Sequence, residues 1–254
     1  MIFEVTLDLT LLLILAAFLA GFVDAIAGGG GLITVPALLL AGANPVEALA
    51  TNKLQGTFGS ATASIAYARA GQVHLRSQAA MALVSGLAGA AGALLAHLVP
   101  AEALRIIMPI VLVAVALFFA LKPGLSDQDR VQRLSPAAFT FTAVPLIGAY
   151  DGFFGPGTGS FYMLGFVMLA GFGVLKATAH TKLLNFASNL GSLLVFVFSG
   201  ATWWMVGLAM ALAQVAGAAL GARLAMRIGA RLIKPLLVIT STAMAARLLW
   251  QAWG

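Results

Sequence analysis

The sequence predicts an all-α polytopic membrane protein with two inverted repeats, each a broken or re-entrant hairpin plus three transmembrane helices. Hydrophobic residues make up 61% of the 254 residues and charged residues only 9%, whereas soluble domains carry about a quarter charged residues. Long apolar runs follow one another, and the second half repeats the motif order of the first. Since a spanning helix needs about 20 apolar residues, the chain has room for about eight to ten membrane segments.

The apolar runs are separated by short polar or Gly/Pro-containing stretches. The predicted segments are 9–27, 31–42, 45–69, 77–98, 102–121, 137–154, 157–171, 174–199, 203–226 and 232–251. The run 31–42 is too short to span, because at about 1.5 Å per residue it covers just over half of a roughly 30 Å core. It follows four glycines, and GFFGPGTGS at 152–160 has the same character. Both places therefore predict broken helices.

The two halves match when one is shifted by 127 residues, or by 129 after the extra residues near 172–175. Asp24 then meets Asp151, and Lys53 meets Lys182, with glycine clusters in the same order. We predict a single transport domain over 1–254, with repeat 1 at about 9–121, a cytoplasmic linker at about 122–136 and repeat 2 at about 137–251.

The distribution of lysine and arginine predicts the orientation of the two halves. Basic residues cluster in the loops near 69–76, 122–133 and 223–234, which the positive-inside rule places in the cytoplasm. Threading the segments from these loops puts the N-terminus outside and makes the repeats run in opposite directions. The alternative is a parallel repeat of four spans in each half, with single bent helices at the glycines. Inverted repeats with discontinuous helices are typical of secondary transporters, whose site lies near the midplane.

Composition also excludes several classes of function. The net charge of +6 is explained by basic cytoplasmic loops and not by nucleic-acid binding. The chain contains no cysteine, and it shows no metal-spaced histidine pair, no nucleophile motif and no Walker motif. We therefore predict neither an enzyme nor a cofactor. The predicted partners are a small anion and the lipid bilayer, and the sequence leaves a homodimer open.

Four charged residues stand out clearly within the apolar runs: Asp24, Lys53, Asp151 and Lys182. Charges at this depth are costly and usually functional, and inverted symmetry brings both lysines towards one central region. Glycine-flanked helix N-termini bind oxyanions, and nearby hydroxyl and amide groups add donors. The candidate substrate-binding residues are Gly29, Gly30, Gly31, Thr34, Thr51, Asn52, Lys53 and Gln55 in the first half, and Gly157, Thr158, Gly159, Ser160, His180, Thr181, Lys182, Asn185 and Asn189 in the second.

Each of these features also has a structural interpretation. The glycines are compatible with close helix packing, and a lone lysine can snorkel to an interface. Asp24 and Asp151 are candidates for helix caps, for partners of the lysines, or for a proton relay. His180 is either a titrating group or a hydrogen-bonded packing residue.

The motifs resemble those of the TauE/SafE family of sulfite exporter-like and sulfonate permease proteins. The first half carries GFVDAIAGGGGLITVPALLLAGANPVEALATNKLQGTFGS at 21–60. The second carries GAYDGFFGPGTGSFYMLGFVML at 148–169 and ATAHTKLLNFASNLGSLLVF at 177–196. The resemblance covers nearly the whole chain and implies a carrier of sulfur-containing anions such as sulfite, sulfonates or sulfoacetate in the inner membrane.

The leading hypothesis is a secondary carrier of such anions, with proton coupling and a site at the midplane between the repeats. One alternative is an anion channel on the same scaffold, and another is a carrier of a non-sulfur anion. A membrane-embedded enzyme is the third class, for which the sequence offers no motif.

Overall fold

The computed structural model describes residues 4–120, 128–129 and 131–229. These residues form helices and connecting segments, with no β-strand among them. The helices are α1 (Leu7–Ala27), α2 (Gly31–Leu40), α3 (Pro45–Arg69), α4 (Ala79–Leu98), α5 (Ala101–Ala120), α6 (Pro136–Phe141), α7 (Ala143–Phe153), α8 (Thr158–Met168), α9 (Val174–Val197) and α10 (Trp204–Ile228). A 3₁₀ turn, Leu75–Gln78, precedes α4.

The helices follow the apolar runs closely, so the all-α prediction is confirmed. The run 45–69 is helix α3 from end to end, and the runs 102–121 and 174–199 differ from α5 and α9 by at most two residues at either end. The run 137–154 is interrupted at Thr142, which separates α6 from α7. The predicted segment 232–251 lies outside the described residues.

Three of the described helical stretches are long and apolar enough to cross a membrane: Leu7–Ala27, Leu75–Leu98 and Trp204–Ile228. Many leucines on these stretches are exposed in the isolated chain, as expected for side chains that face lipid. The structure and the composition therefore agree on a membrane protein.

The helices that follow the glycine clusters are half-length, as the sequence predicts. Helix α2 has 10 residues and α8 has 11, so at about 1.5 Å per residue each covers roughly half of a bilayer core. The helix before the first cluster differs from expectation, because α1 has 21 residues and is itself long enough to span. The first break therefore joins a full-length helix to a short one.

Local sequence explains where α3 begins. Asn44 accepts hydrogen bonds from the backbone N–H groups of Val46 and Glu47, each at 3.0 Å. The Glu47 carboxylate accepts the N–H of Asn44 at 2.8 Å, and Pro45 occupies the first helical position. This reciprocal capping box fixes the start of the helix that carries Lys53.

Helices α1, α3 and α10 pack side by side in the same direction. At one end the Glu4 carboxylate accepts the N–H groups of Met205 and Val206 at 3.0 and 3.1 Å. Further along, Gly217 lies directly against the backbone of Phe18. Helix α3 joins this group through Gln55, whose side-chain oxygen accepts from Gln214 at 2.7 Å.

Helices α4, α7 and α9 form a second group, again with parallel neighbours. The Ser85 hydroxyl donates to the carbonyl of Leu184 at 2.7 Å, and the rings of His97 and Phe196 lie 4.9 Å apart. Gly152 of α7 lies directly against the backbone of Gly89. The two groups meet along α3 and α9, which run in opposite directions. Trp203, after the end of α9, contacts Thr51 near the start of α3, and Gln78, after the end of α3, contacts His180 near the start of α9.

Chain segments between the helices gather at one end of the structure, near the start of α9. Gln78 donates to the carbonyl of His180 at 3.3 Å. Asp129 accepts the N–H of Gly173 at 2.7 Å and pairs with Lys176 at 3.1 Å. The Gly173 N–H, together with Lys176, holds the pKa of the Asp129 carboxyl below its ordinary value. The central linker is thereby tied to the helix that carries Lys182.

We expect Gly217→Val to destabilise the protein by about 1–3 kcal/mol, because a side chain there has to displace the adjoining backbone of α1. A Cβ at this position would lie 2.9 Å from the Phe22 nitrogen and closer still to the Phe18 carbonyl. Thermal unfolding of the purified protein in detergent measures the effect. Leu220→Val is the control on the same helix, since Leu220 is 51% exposed. Equal melting temperatures for the two variants would contradict the close packing of α1 and α10.

Candidate functional site

The first lysine of the site, Lys53, is completely buried on α3. Its Nζ donates to Oδ1 of Asp151 at 2.6 Å, and the two side chains are 0% and 2% exposed. The second carboxylate oxygen of Asp151 accepts a hydrogen bond from the Ser188 hydroxyl. A buried ion pair is stable only when its remaining polar atoms are also satisfied, and here Ser188 does this for the carboxylate.

The second lysine, Lys182, is buried on α9 beside the end of α1. Its Nζ lies 3.7 Å from Oδ2 of Asp24, and the side chains are 1% and 15% exposed. The same Nζ donates to the backbone carbonyl of Asp24. The other carboxylate oxygen of Asp24 accepts the N–H of Gly30 at 3.2 Å.

Each lysine is therefore paired with the aspartate of the other half of the chain. Lys53 lies 98 residues before Asp151, and Lys182 lies 158 residues after Asp24. The sequence offered lysine pairing as one role for the aspartates, and the structure brings these pairs together. The four charges cancel, so neither lysine is a free cation.

The glycine-rich breaks lie against each other between the pairs. Gly28 has a φ of +81° and Gly157 a φ of +86°, which a residue with a Cβ rarely adopts. A Cβ on Gly28 would also collide with the backbone of Ser160. The Ser160 hydroxyl donates to the carbonyl of Ala27 at 2.9 Å. Position 28 therefore requires glycine, both for its positive φ and for its close contact with Ser160.

A small polar cavity of about 30 Å³ lies where these elements meet. Its walls consist of glycine backbone, two carboxylates, one hydroxyl and four side-chain amides. The lining residues are Asp24, Gly29, Gly30, Gly31, Asn52, Gly56, Asp151, Gly155, Gly157, Thr158, Gly159, Asn185, Asn189 and Gln214. The two lysines do not line it, because they lie behind the carboxylates.

Two half-length helices begin at the cavity. Helix α2 begins at Gly31 and α8 begins at Thr158, and both residues line the cavity wall. The first turn of a helix presents unpaired N–H groups and a positive dipole end. The cavity therefore combines features that favour an anion with two carboxylates that oppose one.

A chain of hydrogen bonds orients the amide of Asn52. Its Oδ1 accepts from the Thr34 hydroxyl at 2.7 Å and from the Gln55 amide at 3.1 Å. Gln55 is itself held by Gln214. Because the oxygen of Asn52 is used in this way, its NH₂ group is available to the cavity as a donor. Thr34 and Gln55 thus act on the cavity through Asn52.

The amide of Asn185 is oriented in a similar way. Its Oδ1 accepts from the Asn189 amide at 3.2 Å, which leaves the Asn185 NH₂ group as a donor. Both asparagines line the cavity, as the sequence-based hypothesis expects.

Besides Thr34, Lys53, Gln55, Ser160 and Lys182, three further predicted binding residues do not line the cavity. Thr51 accepts the N–H of Trp203 at 3.0 Å, and Thr181 donates to the carbonyl of Ala177 at 2.8 Å. The His180 ring packs edge-on against Phe166 and Phe172 and borders a separate cavity of about 170 Å³. The position of His180 agrees with the packing interpretation of this residue.

Four residues that complete the site were not predicted from the sequence: Gly56, Gly155, Ser188 and Gln214. Gln214 had a usable signal, because it is a polar residue in the middle of the apolar run 203–226 and such residues are usually functional. Ser188 gave no such signal in the sequence, since serine is common in membrane helices.

Comparison with known proteins identifies the family. The family model described as "Sulfite exporter TauE/SafE" matches residues 13–248. The chain belongs to the TauE/SafE family. The resemblance noted in the sequence motifs is therefore confirmed.

Several TauE/SafE relatives are similar over nearly their whole length. "Probable membrane transporter protein ORF9" of Sinorhizobium sp is 58% identical, over 97% of this chain and 94% of the relative. "Probable membrane transporter protein YfcA" of Escherichia coli K12 is 47% identical, over 95% and 90%. A "Probable membrane transporter protein" of Haemophilus influenzae is 43% identical, over 98% of each chain.

No solved structure matches the chain. The family and the names of the relatives are those of membrane transporters, which confirms the expectation that this chain is a membrane transporter and not an enzyme.

We expect Lys53→Met to lower the free energy of unfolding by about 3–5 kcal/mol, because Asp151 is left buried without its counterion. The double variant Lys53→Met/Asp151→Asn removes both charges and is expected to regain much of this loss. Denaturant or thermal unfolding in detergent measures both variants.

The matched control is Lys176→Met, which breaks an ion pair whose side chains are 46% and 60% exposed. Exposed pairs contribute about 1 kcal/mol or less. If Lys53→Met lowers the free energy of unfolding no more than Lys176→Met does, the buried Lys53–Asp151 pair contributes no more to stability than an exposed pair.

Proposed function

We propose that this TauE/SafE protein is a proton-coupled secondary carrier of small sulfur-containing anions such as sulfite, sulfonates or sulfoacetate. Its site is the central cavity, at the midplane between two inverted repeats. The observation that carries the proposal is that each lysine pairs with the aspartate of the other half. The two pairs surround a cavity at which two half-length helices begin.

The helix directions support inverted repeats. In the matching of the two halves, α1 corresponds to α7, α3 to α9 and α4 to α10. Contacts place α1, α3 and α10 in one direction, and their counterparts α7, α9 and α4 in the other. An inverted repeat predicts this pattern, whereas a parallel repeat would keep corresponding helices parallel. Such repeats with discontinuous helices are the pattern of secondary transporters.

The anion is supported by the donors at the cavity wall. The starts of α2 and α8 place positive helix-dipole ends at the wall, and Asn52 and Asn185 provide side-chain donors. The N–H groups of Leu32, Ile33 and Thr158 already donate to loop carbonyls. Glycines at the wall allow an oxyanion to approach this backbone closely. The description of the family supports the sulfur-containing class.

The size of the cavity favours a carrier over a channel. A cavity needs about 10–15 Å³ to hold one water molecule, so this cavity of about 30 Å³ has room for roughly two. An oxyanion with four or more heavy atoms needs more room. The halves therefore have to move apart before the anion can reach the site, as alternating access requires.

The gathering of loops at one end supports a cytoplasmic face there. Gln78 contacts His180 in α9, and Asp129 contacts Gly173 directly before α9. Gln78 follows the basic loop near 69–76, and Asp129 lies in the basic loop near 122–133. With that end inside, the N-terminus lies outside, and the protein sits in the inner membrane of the cell.

We expect the purified protein in liposomes to accumulate at least one sulfur oxyanion when an inward proton gradient is imposed. The panel is sulfite, thiosulfate, sulfate, methanesulfonate and sulfoacetate, with acetate and succinate as non-sulfur anions. A protonophore should abolish the accumulation. Flux that follows only the anion gradient and the membrane voltage would identify a channel, and exclusive transport of carboxylates would identify a different substrate class.

We expect Lys182→Ala to lose at least about 90% of this uptake, because the site loses the charge that balances an anion. Lys176→Ala is the matched control on the same helix, with its amino group outside the cavity and paired with Asp129. Size-exclusion chromatography confirms that both variants are folded. Uptake by folded Lys182→Ala at the level of the control would contradict the proposed site.

A further inference from the structure

The two Lys–Asp pairs have corresponding positions in the two halves, but their geometry differs. The Lys53–Asp151 pair is in direct contact at 2.6 Å, and Ser188 holds the second carboxylate oxygen. The Lys182–Asp24 pair is separated by 3.7 Å, and Asp24 is the more exposed aspartate. Both carboxylates line the cavity, but the first pair is closer and more deeply buried, whereas the carboxylate of the second is more exposed.

The Asp24 carboxylate uses the donors that an anion in the cavity would need. One oxygen accepts the N–H of Gly30 at the start of α2, at 3.2 Å. The other faces the Lys182 ammonium at 3.7 Å. A helix N-terminus beside a lysine is a site that favours an oxyanion. The structure therefore shows this site filled by a carboxylate from the protein itself.

We propose that the Asp24 carboxylate occupies the position of the substrate anion in the empty carrier, and that one proton on Asp24 releases this position to the substrate. The inference rests on the proposed function and adds which aspartate couples the proton and how. The proton binds the Asp24 carboxylate, and the neutral carboxyl group gives up Lys182 and the Gly30 N–H. One negative charge on the substrate then replaces one negative charge on the protein.

Lys182 keeps an acceptor when Asp24 is protonated. Its Nζ donates to the backbone carbonyl of Asp24, in the last turn of α1. Carbonyls at a helix C-terminus carry partial negative charge. The ammonium therefore stays charged and held in place, and its remaining N–H groups are available to the anion.

Lys53 lacks such a second acceptor among the described residues, because its ammonium donates only to Asp151. Protonation of Asp151 would leave a buried ammonium with no acceptor, which is costly. We therefore assign Asp151 a constant negative charge and a positioning role.

The surroundings of Asp24 add no second charge close to it within the described part of the chain. Helix α9 contributes Lys182, and α3 contributes the Tyr67 hydroxyl, which donates to the Ala25 carbonyl at 2.9 Å. Helix α8 contributes Gly159, and α10 contributes Gln214. Gly30 lies directly before α2, and none of these three residues titrates. The pair of Lys53 and Asp151 across the cavity is neutral as a unit. Proton uptake with the anion is therefore expected at Asp24 alone.

The test measures binding of methanesulfonate and sulfate to the purified protein by calorimetry, between about pH 5 and pH 8. Both anions keep their charge over this range, so any pH dependence comes from the protein. Wild-type affinity should fall by about tenfold per pH unit wherever Asp24 is ionised in the free protein. In Asp24→Asn the affinity should be independent of pH and, at the alkaline end, at least about tenfold higher than in wild type.

Ser188→Ala is the control at the other pair, because it removes a hydrogen bond to Asp151 and leaves Asp24 intact. It should keep the wild-type pH slope. Infrared difference spectra provide a second measurement: anion binding should produce a protonated-carboxyl band in wild type and in Ser188→Ala, and no such band in Asp24→Asn.

Two results overturn the inference in distinguishable ways. If Asp24→Asn binds these anions with the wild-type pH slope and carboxyl band, the role of Asp24 is wrong while the carrier stands. If the wild-type protein neither binds nor transports any sulfur anion of the panel, the proposed function fails and this inference with it.

Discussion

The structure depends on burying two lysines in the interior of an apolar helical protein. A charged side chain at that depth is strongly unfavourable unless a counterion lies next to it. Asp151 and Asp24 provide the counterions, and each comes from the half of the chain that does not carry its lysine. The pairs therefore fix the two halves relative to each other. The cavity lies where the two aspartates and the glycines of both breaks come together.

Close packing of glycines gives the surrounding helices their rigidity. Gly217 brings α10 against α1, and Gly152 brings α7 against α4, with backbone directly on backbone. Such contacts allow little sliding, so each group of three parallel helices is expected to move as one body. The boundary between the groups runs along α3 and α9, the helices that carry the two lysines. A change in either ion pair therefore acts directly on this boundary.

Much of the architecture could be predicted from the sequence. Apolar runs determine the helices, because the bilayer requires about 20 apolar residues for each span. Glycine clusters determine the breaks, because Gly28 and Gly157 adopt φ values that other residues avoid. The partners of Lys53 and Lys182 could not be read from the sequence, since pairing within one half or between halves satisfies the same charges. The place of His180 depends on aromatic packing with Phe166 and Phe172, which periodicity does not reveal. The inverted arrangement and the binding roles of these residues stay proposals.

The pairing of each lysine with an aspartate of the other half has a consequence for synthesis of the protein. Asp24 is synthesised 158 residues before the lysine that neutralises it, and Lys53 is synthesised 98 residues before its aspartate. At roughly 5–20 residues per second, Lys182 is synthesised about 8 to 32 seconds after Asp24. During translation the first half therefore enters the bilayer with neither charge beside its native partner. Both native pairs can form only after the second half has been synthesised.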